Sequence, residues 1–206
     1  EFKPDLLFIE SAWRGVEDSW QKKVSDLSPE LLELLDWAMQ SGVSTAFWCK
    51  EDPVHFVRFL PVARLVDHVF TTDIDCIPRY MAALQHDRVH LLPFAAQPAM
   101  HNPLESFPRE DAFCFAGSFY RKYPERQADF HELVTVGRRL RSVVIYDRNS
   151  KRPQPHDFNY PDEYRAELRD ALDYAEVDRA YKGYRFGITV NTIKQSQTMF
   201  ARRAFE

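Results

Sequence analysis

Apolar residues gather in short unbroken runs, and between the runs the spacing turns helical. Residues 5–10, 44–48, 66–71, 88–92, 112–116, 142–146 and 186–190 each read as a strand. Most are apolar along their length rather than alternating, the mark of a parallel sheet covered on both faces. Ser28-Pro29-Glu30 is a helix start, with Ser as cap, Pro at the first helical position and an acid in the first turn. Leu31, Leu34, Leu35 and Ala38 then fall on one helical face, and Gly42 ends the element. Further helices are expected from Asp75 through Leu84, from Pro124, and briefly from Ala175. Residues 11–25 form a loop carrying Trp13 and Trp20, which can be buried against the sheet or stack on a sugar ring. The order strand, helix, strand defines an α/β protein.

The texture breaks once. Pro93, Pro98, Pro103 and Pro108 punctuate a stretch of little periodicity, which is linker chemistry. Two Rossmann-like units are therefore expected, over residues 1–97 and 112–206, with residues 98–111 joining them. A second proline-rich loop is expected over residues 151–161. The chain holds 6 glycines and no G-x-G-x-x-G, which argues against an ordinary dinucleotide-binding turn.

Composition narrows the class. With 206 residues, 45% hydrophobic and 14% aromatic, the chain can bury one or two cores and is not a disordered segment. A net charge of −4 with both signs interspersed gives no basic face for nucleic acid. No apolar run approaches the ~20 residues of a membrane span. Cys49, Cys76 and Cys114 are widely spaced among apolar neighbours, which fits buried thiols in a reducing, cytoplasmic compartment and offers no paired zinc spacing.

Ligands of open parallel sheets bind beyond the carboxyl ends of the strands. After residues 112–116 the chain reads Gly117-Ser-Phe-Tyr-Arg121-Lys122-Tyr-Pro124-Glu-Arg126. Gly117 permits close backbone approach, the following helix start presents free N–H groups, and Arg121, Lys122 and Arg126 add cations, a combination suited to a diphosphate or to a solvated basic turn. After residues 44–48, Glu51, Asp52 and His55 form a candidate general-base cluster beside Lys50. The plainer reading is that Asp52-Pro53 caps a helix with His55 in its first turn. Asp75 reads as an N-cap, and His68 and His90 as core or surface residues.

Several runs together resemble the CgeB-like (spore-maturation-type) glycosyltransferases. They are Lys50–Phe56, Phe70–Tyr80, Leu92–Pro98, Gly117–Tyr120, Tyr146–Asn149, Ala180–Tyr184 and Met199–Glu206, in the family's order along nearly the whole chain. The resemblance implies a GT-B fold: two Rossmann-like domains facing a cleft, the first toward the acceptor, the second holding a nucleotide-activated sugar as donor. It implies a glycan or glycan-like acceptor and no metal or other cofactor. Carried onto this sequence, it gives Gly117 and Ser118 as the donor turn, Arg121 or Arg126 on the diphosphate, and Arg148 and Asn191 among the donor contacts. It further gives Arg203 toward the phosphates and Glu206 on the ribose hydroxyls. Position 198, where many GT-B enzymes carry a sugar-binding glutamate, is Thr198. The stretch from Met199 reads as a helix start with no stop signal before Glu206, so the donor domain is expected to be incomplete, Phe200 and Phe205 to pack on its sheet, and an open sheet edge to favour self-association. The alternative to a transferase is a non-catalytic GT-B-like binding module or an inactive fragment.

Overall fold

The computed structural model describes residues 4–99, 101–105, 107–153 and 156–204, with only the backbone of Tyr174 and Arg203. It divides into two compact units. The first comprises residues 1–94 and 193–200, and the second residues 95–192 and 201–206.

The first unit alternates β1 (Leu6–Glu10), α1 (Pro29–Gln40), β2 (Ser44–Cys49), α2 (Phe56–Ala63), β3 (His68–Thr71), α3 (Ile77–Leu84) and β4 (Val89–Leu91). The strands are all parallel, in the order β1-β2-β3-β4. Ser28 caps α1 as its hydroxyl accepts the Leu31 N–H at 3.4 Å. At the other end Gly42 adopts φ +66°, and Val43 N–H reaches back to the Ala38 carbonyl at 2.9 Å. That left-handed step is the reason for a glycine there.

A strand order that always advances in one direction, with right-handed crossovers, puts every helix on the same face. Leu31, Leu35, Phe59, Val62 and Tyr80 accordingly share one core with Ile9, Phe47 and Val69. Trp13 and Trp20 pack against this core, so burial is the outcome for both. Its opposite face carries Phe8, Trp48, Phe70 and His90 in a chain of ring contacts rather than a second layer of helices. The expectation of cover on both faces is therefore corrected for this unit.

The second unit runs β5 (Glu110–Gly117), α4 (Pro124–Leu140), β6 (Ser142–Asp147), β7 (Leu168–Arg169), α5 (Asp178–Lys182) and β8 (Tyr184–Gly187). Its sheet is also parallel but has the order β7-β6-β5-β8. Here both faces are covered. Phe130 and Val134 of α4 pack with Phe115, Val143 and Ile145 on one side, and Ala180 of α5 with Ala112, Cys114 and Val144 on the other. Cys49, Cys76 and Cys114 are all buried free thiols.

Three element readings are corrected. The cap before α3 is Asp73, whose carboxylate accepts the Asp75 N–H at 3.0 Å; residues Ile74–Cys76 make a short 3-10 turn that the periodicity does not reveal. The last strand begins at Tyr184 and ends at Gly187, though Ile188 and Val190 beyond it are buried.

The helix expected from Met199 is absent over residues 199–201, and among the described residues a 3-10 turn, Arg202–Ala204, follows. Side chains take the backbone groups that a helix would use. Ser196 Oγ accepts Met199 N–H at 2.8 Å, and Asn191 Oδ1 accepts Ala201 N–H at 2.7 Å. Residues 193–200 instead form a strap on the first unit. Ser196 Oγ donates to Asp73 at 2.9 Å, Thr198 Oγ1 donates to the Thr72 carbonyl at 3.0 Å, and Phe200 meets Phe94 edge-on at 6.3 Å. Phe200 thus packs in the first unit rather than on the second sheet, while Phe205 lies outside the described residues.

Candidate functional site

In the second unit the chain runs β5 to β6 to β7 in one direction and then returns past both to place β8 on the far side of β5. Such a reversal leaves a crevice at the carboxyl ends of the strands on either side of it. Gly117 ends β5, and residues 188–191 follow β8. Across the other flank of β5, Gly117 is the register partner of Asp147, the last residue of β6.

A polar network ties these ends together. Asn149 is buried; its N–H donates to Asp147 Oδ1 at 2.8 Å and its side-chain amide to Ser118 Oγ at 2.8 Å. The Gly117 carbonyl accepts from Arg148 N–H at 3.1 Å and from Tyr160 Oη at 3.2 Å. His156 Nδ1 accepts the Phe158 N–H at 3.2 Å, so its Nε2 carries the proton and donates to the Asn149 carbonyl at 3.3 Å. Burial pushes the Asp147 carboxyl above its ordinary range, against the pull of the Asn149 N–H and nearby His156, with Asp170 adding to the rise.

The expected donor residues divide. Gly117 and Ser118 stand at the turn, with the Ser118 hydroxyl buried and engaged by Asn149, so what the turn offers a ligand is backbone. Arg126 is buried in the first turn of α4 with its guanidinium over the Tyr120 ring at 5.0 Å. Arg121 is exposed and donates to the Asn159 carbonyl at 3.2 Å. Arg148 is exposed next to Asp147, and Asn191 is half-buried with its carbonyl oxygen engaged by Ala201. The Arg203 side chain and Glu206 lie outside the described residues.

At the centre of the cluster expected in the first unit, Asp52 is enclosed by packing. The Asp52 side chain is fully buried, with Oδ2 accepting from Thr71 at 2.7 Å and Oδ1 from Tyr80 at 3.3 Å. Burial lifts this carboxyl to about 6, against the hydrogen bonds from Thr71, Cys49 and Tyr80. A group so enclosed ties the loop after β2 to the end of β3 and to α3. It is not the cap of α2, since that helix begins after His55 without a side-chain cap. His55 remains half-buried, edge-on to Trp13 at 5.0 Å, and Glu51 is half-buried beside it in sequence. Thr198 also serves the first unit, accepting Ile74 N–H at 2.9 Å.

Two cavities open on the second unit. One, of about 410 Å³, sits at the amino ends of β5 and β8 and is lined by Phe107, Glu110, Arg179 and Tyr184 among others. The other, a shallow and open depression of about 420 Å³, lies at the carboxyl ends of β6 and β7 and is lined by Asp147, Ser150, Leu168, Arg169 and Asp170. Asp147 falls within the Tyr146–Asn149 run that the sequence singles out, where Arg148 rather than Asp147 is the expected contact. Among the described residues no group of three His, Cys, Asp or Glu side chains is disposed to hold a metal ion, and no helix is long and apolar enough to cross a membrane.

No family model matches the chain, and no curated protein or solved structure matches it either.

Proposed function

We propose that the protein is a GT-B-type glycosyltransferase that takes a sugar from a nucleoside diphosphate donor and passes it to a glycan-like acceptor. The second unit binds the donor. The carrying observation is the strand reversal of the second sheet, which brings the Gly117–Ser118 turn, the start of α4 and residues 188–191 to one edge. A diphosphate gains there from backbone N–H groups, from the positive end of a 17-residue helix, and from the buried charge of Arg126. Charge develops on the leaving diphosphate during sugar transfer, and fixed donors in a dry site stabilise it most. The runs that resemble CgeB-like enzymes, in the same order, support the same reading, with His55 and Glu51 as the remaining candidates for the acceptor proton. The test is release of nucleoside diphosphate from UDP-, GDP- and ADP-sugars, with and without oligosaccharide acceptors. Release from one donor, reduced by Arg126→Ala, is expected; no release and no binding of any of them overturns the reading.

A second reading, a binding module without transfer, is favoured by the burial of Asp52, which takes one carboxylate out of the base cluster. Binding of a nucleotide sugar without any turnover would decide for it.

A further inference from the structure

A buried carboxyl and the strap over residues 193–200 meet at one turn of the first unit. Thr71 ends β3, and the three residues after it carry the strap. The Thr72 carbonyl accepts from Thr198 Oγ1 at 3.0 Å, Asp73 Oδ1 accepts from Ser196 Oγ at 2.9 Å, and Ile74 N–H donates to Thr198 Oγ1 at 2.9 Å. On its inner side the same turn touches Asp52, which is fully buried and lies with Oδ2 2.7 Å from Thr71 Oγ1. Thr71 thus stands between a buried acid and the residues that hold the strap.

The Thr71 hydroxyl has one proton and two places for it. Its oxygen is 2.7 Å from Asp52 Oδ2 and 3.4 Å from the Asp73 carbonyl, and it accepts the Asp73 N–H at 3.2 Å. An ionised Asp52 can only accept, so it takes the Thr71 proton and the Asp73 carbonyl loses that donor. A neutral Asp52 donates its own O–H to Thr71 Oγ1, and the Thr71 proton turns to the Asp73 carbonyl. The neutral acid therefore ties Thr71 to the turn through two hydrogen bonds and the ionised acid through one. Thr72 biases the turn toward opening. Its hydroxyl is buried without a hydrogen-bond partner among the described residues, and it regains water when the strap lifts.

The groups around Asp52 leave it as the one that changes charge near neutrality. They come from every element packed on it: Cys49 from β2, Thr71 from β3, Cys76 from the 3-10 turn, and Arg79 and Tyr80 from α3. Burial pushes the Cys49 and Cys76 thiols and the Tyr80 phenol upward, so all three keep their protons where Asp52, lifted by burial to about 6, loses its own. Arg79 is exposed, with its guanidinium over the Phe56 ring at 3.9 Å, and the Asp73 carboxylate is turned to the strap.

We propose that Asp52, Thr71 and residues 72–74 form a proton-operated latch: the neutral Asp52 carboxyl holds the strap down, and its ionisation loosens it. The latch lies within the first unit and does not depend on donor binding by the second.

The experiment is amide hydrogen exchange of the full chain, followed by NMR between pH 5 and 7.5, with each rate corrected for its intrinsic pH dependence. The reporters are Ile74, which donates to Thr198 Oγ1, and Met199, which donates to Ser196 Oγ. Val69, whose N–H donates to the Arg88 carbonyl at 3.0 Å, reports unfolding of the unit. In the wild type both reporters are expected to exchange faster than Val69 throughout, because lifting the strap leaves the sheet intact. Their exchange should rise several-fold from pH 5 to 7.5, and at most ~10-fold, the limit for a carboxyl that falls from about 6 to its ordinary 3.8 on release. Asp52→Asn, which cannot ionise, is expected to be flat over that range. No rise in the wild type, the same rise in Asp52→Asn, or reporters no faster than Val69 overturns the latch. Should Asp52→Asn melt well below the wild type, Thr71→Ser and Thr71→Val decide. Serine keeps the hydroxyl and the rise, whereas valine has no proton to redirect and loses most of it. A full rise in Thr71→Val overturns the proposal.

Discussion

Gly117 and Asp147 stand opposite one another in register at the carboxyl ends of β5 and β6. The glycine ends the central strand of the second sheet beside the point where its order reverses, and the aspartate closes the next strand facing a cavity. Asn149 couples the two by bonding both the Asp147 carboxylate and the Ser118 hydroxyl.

That coupling predicts a stability effect. Asn149→Ala leaves the Ser118 hydroxyl buried without its donor, and a buried group so orphaned costs ~1–3 kcal/mol. Urea unfolding should show a loss of that size for the second unit. A change under a few tenths of a kcal/mol would mean the network is not holding the turn.

Asp52 predicts a pH effect of definite sign. Its folded carboxyl titrates near about 6 against an ordinary 3.8, so the folded state binds this proton more tightly than the unfolded chain. The resulting stabilisation is complete below pH 3.8 and is lost as pH rises through about 6. The lift corresponds to roughly 3 kcal/mol in all, of which about 1.4 kcal/mol disappears between pH 5 and 7.5. Asp52→Asn should be flatter than the wild type by that amount in the same window. Parallel stability curves for the two proteins would place the carboxyl in an ordinary environment.

Arg126 and Arg121 should separate under substitution, because a charge acts more strongly where water is excluded. Arg126 is buried over Tyr120, whereas Arg121 is exposed. Arg126→Ala is predicted to weaken nucleoside diphosphate binding by about 1.5–3 kcal/mol, and Arg121→Ala by less than about 0.5 kcal/mol. Equal effects, read by titration at one ionic strength, would return both to a solvated basic turn.

The strap over residues 193–200 is held largely by side chains. Ser196→Ala removes a donor to Asp73 and an acceptor for Met199 N–H, and Thr198→Val removes both of its hydroxyl bonds. Each change should cost ~1 kcal/mol and speed proteolytic cutting within the strap. Cutting at the wild-type rate in the double variant would show that Phe200 on Phe94 suffices.

The sequence made local features legible and hid those that depend on pairing across the fold. Runs such as 44–48 and 142–146 mark buried strands because both neighbours and both pleat directions are largely apolar, and Ser28-Pro29 marks a helix start because its cap is local. The strap joins positions 123 to 126 residues apart, so no window of sequence contains it. The helix read from Met199 failed for the same reason: Ser196, Thr198 and Asn191 turn their oxygens to partners outside the helical repeat. Asp52 looked like a base because carboxylate, lysine and histidine stand close in sequence, and only packing reveals that Thr71 and Tyr80 enclose it. Asp147 became visible once strand order set it beside Gly117.

The central claim is that the second unit holds a nucleoside diphosphate at the carboxyl ends of its strands. Backbone amide NMR of the isotope-labelled chain, titrated with UDP, GDP and ADP in turn, tests it most directly. The account predicts shifts concentrated at Gly117–Ser118, at residues 147–150 and at residues 188–191 for at least one of them. Shifts confined to Glu110, Arg179 and Tyr184, which line the cavity at the amino ends, or no shifts with any of the three, would contradict it.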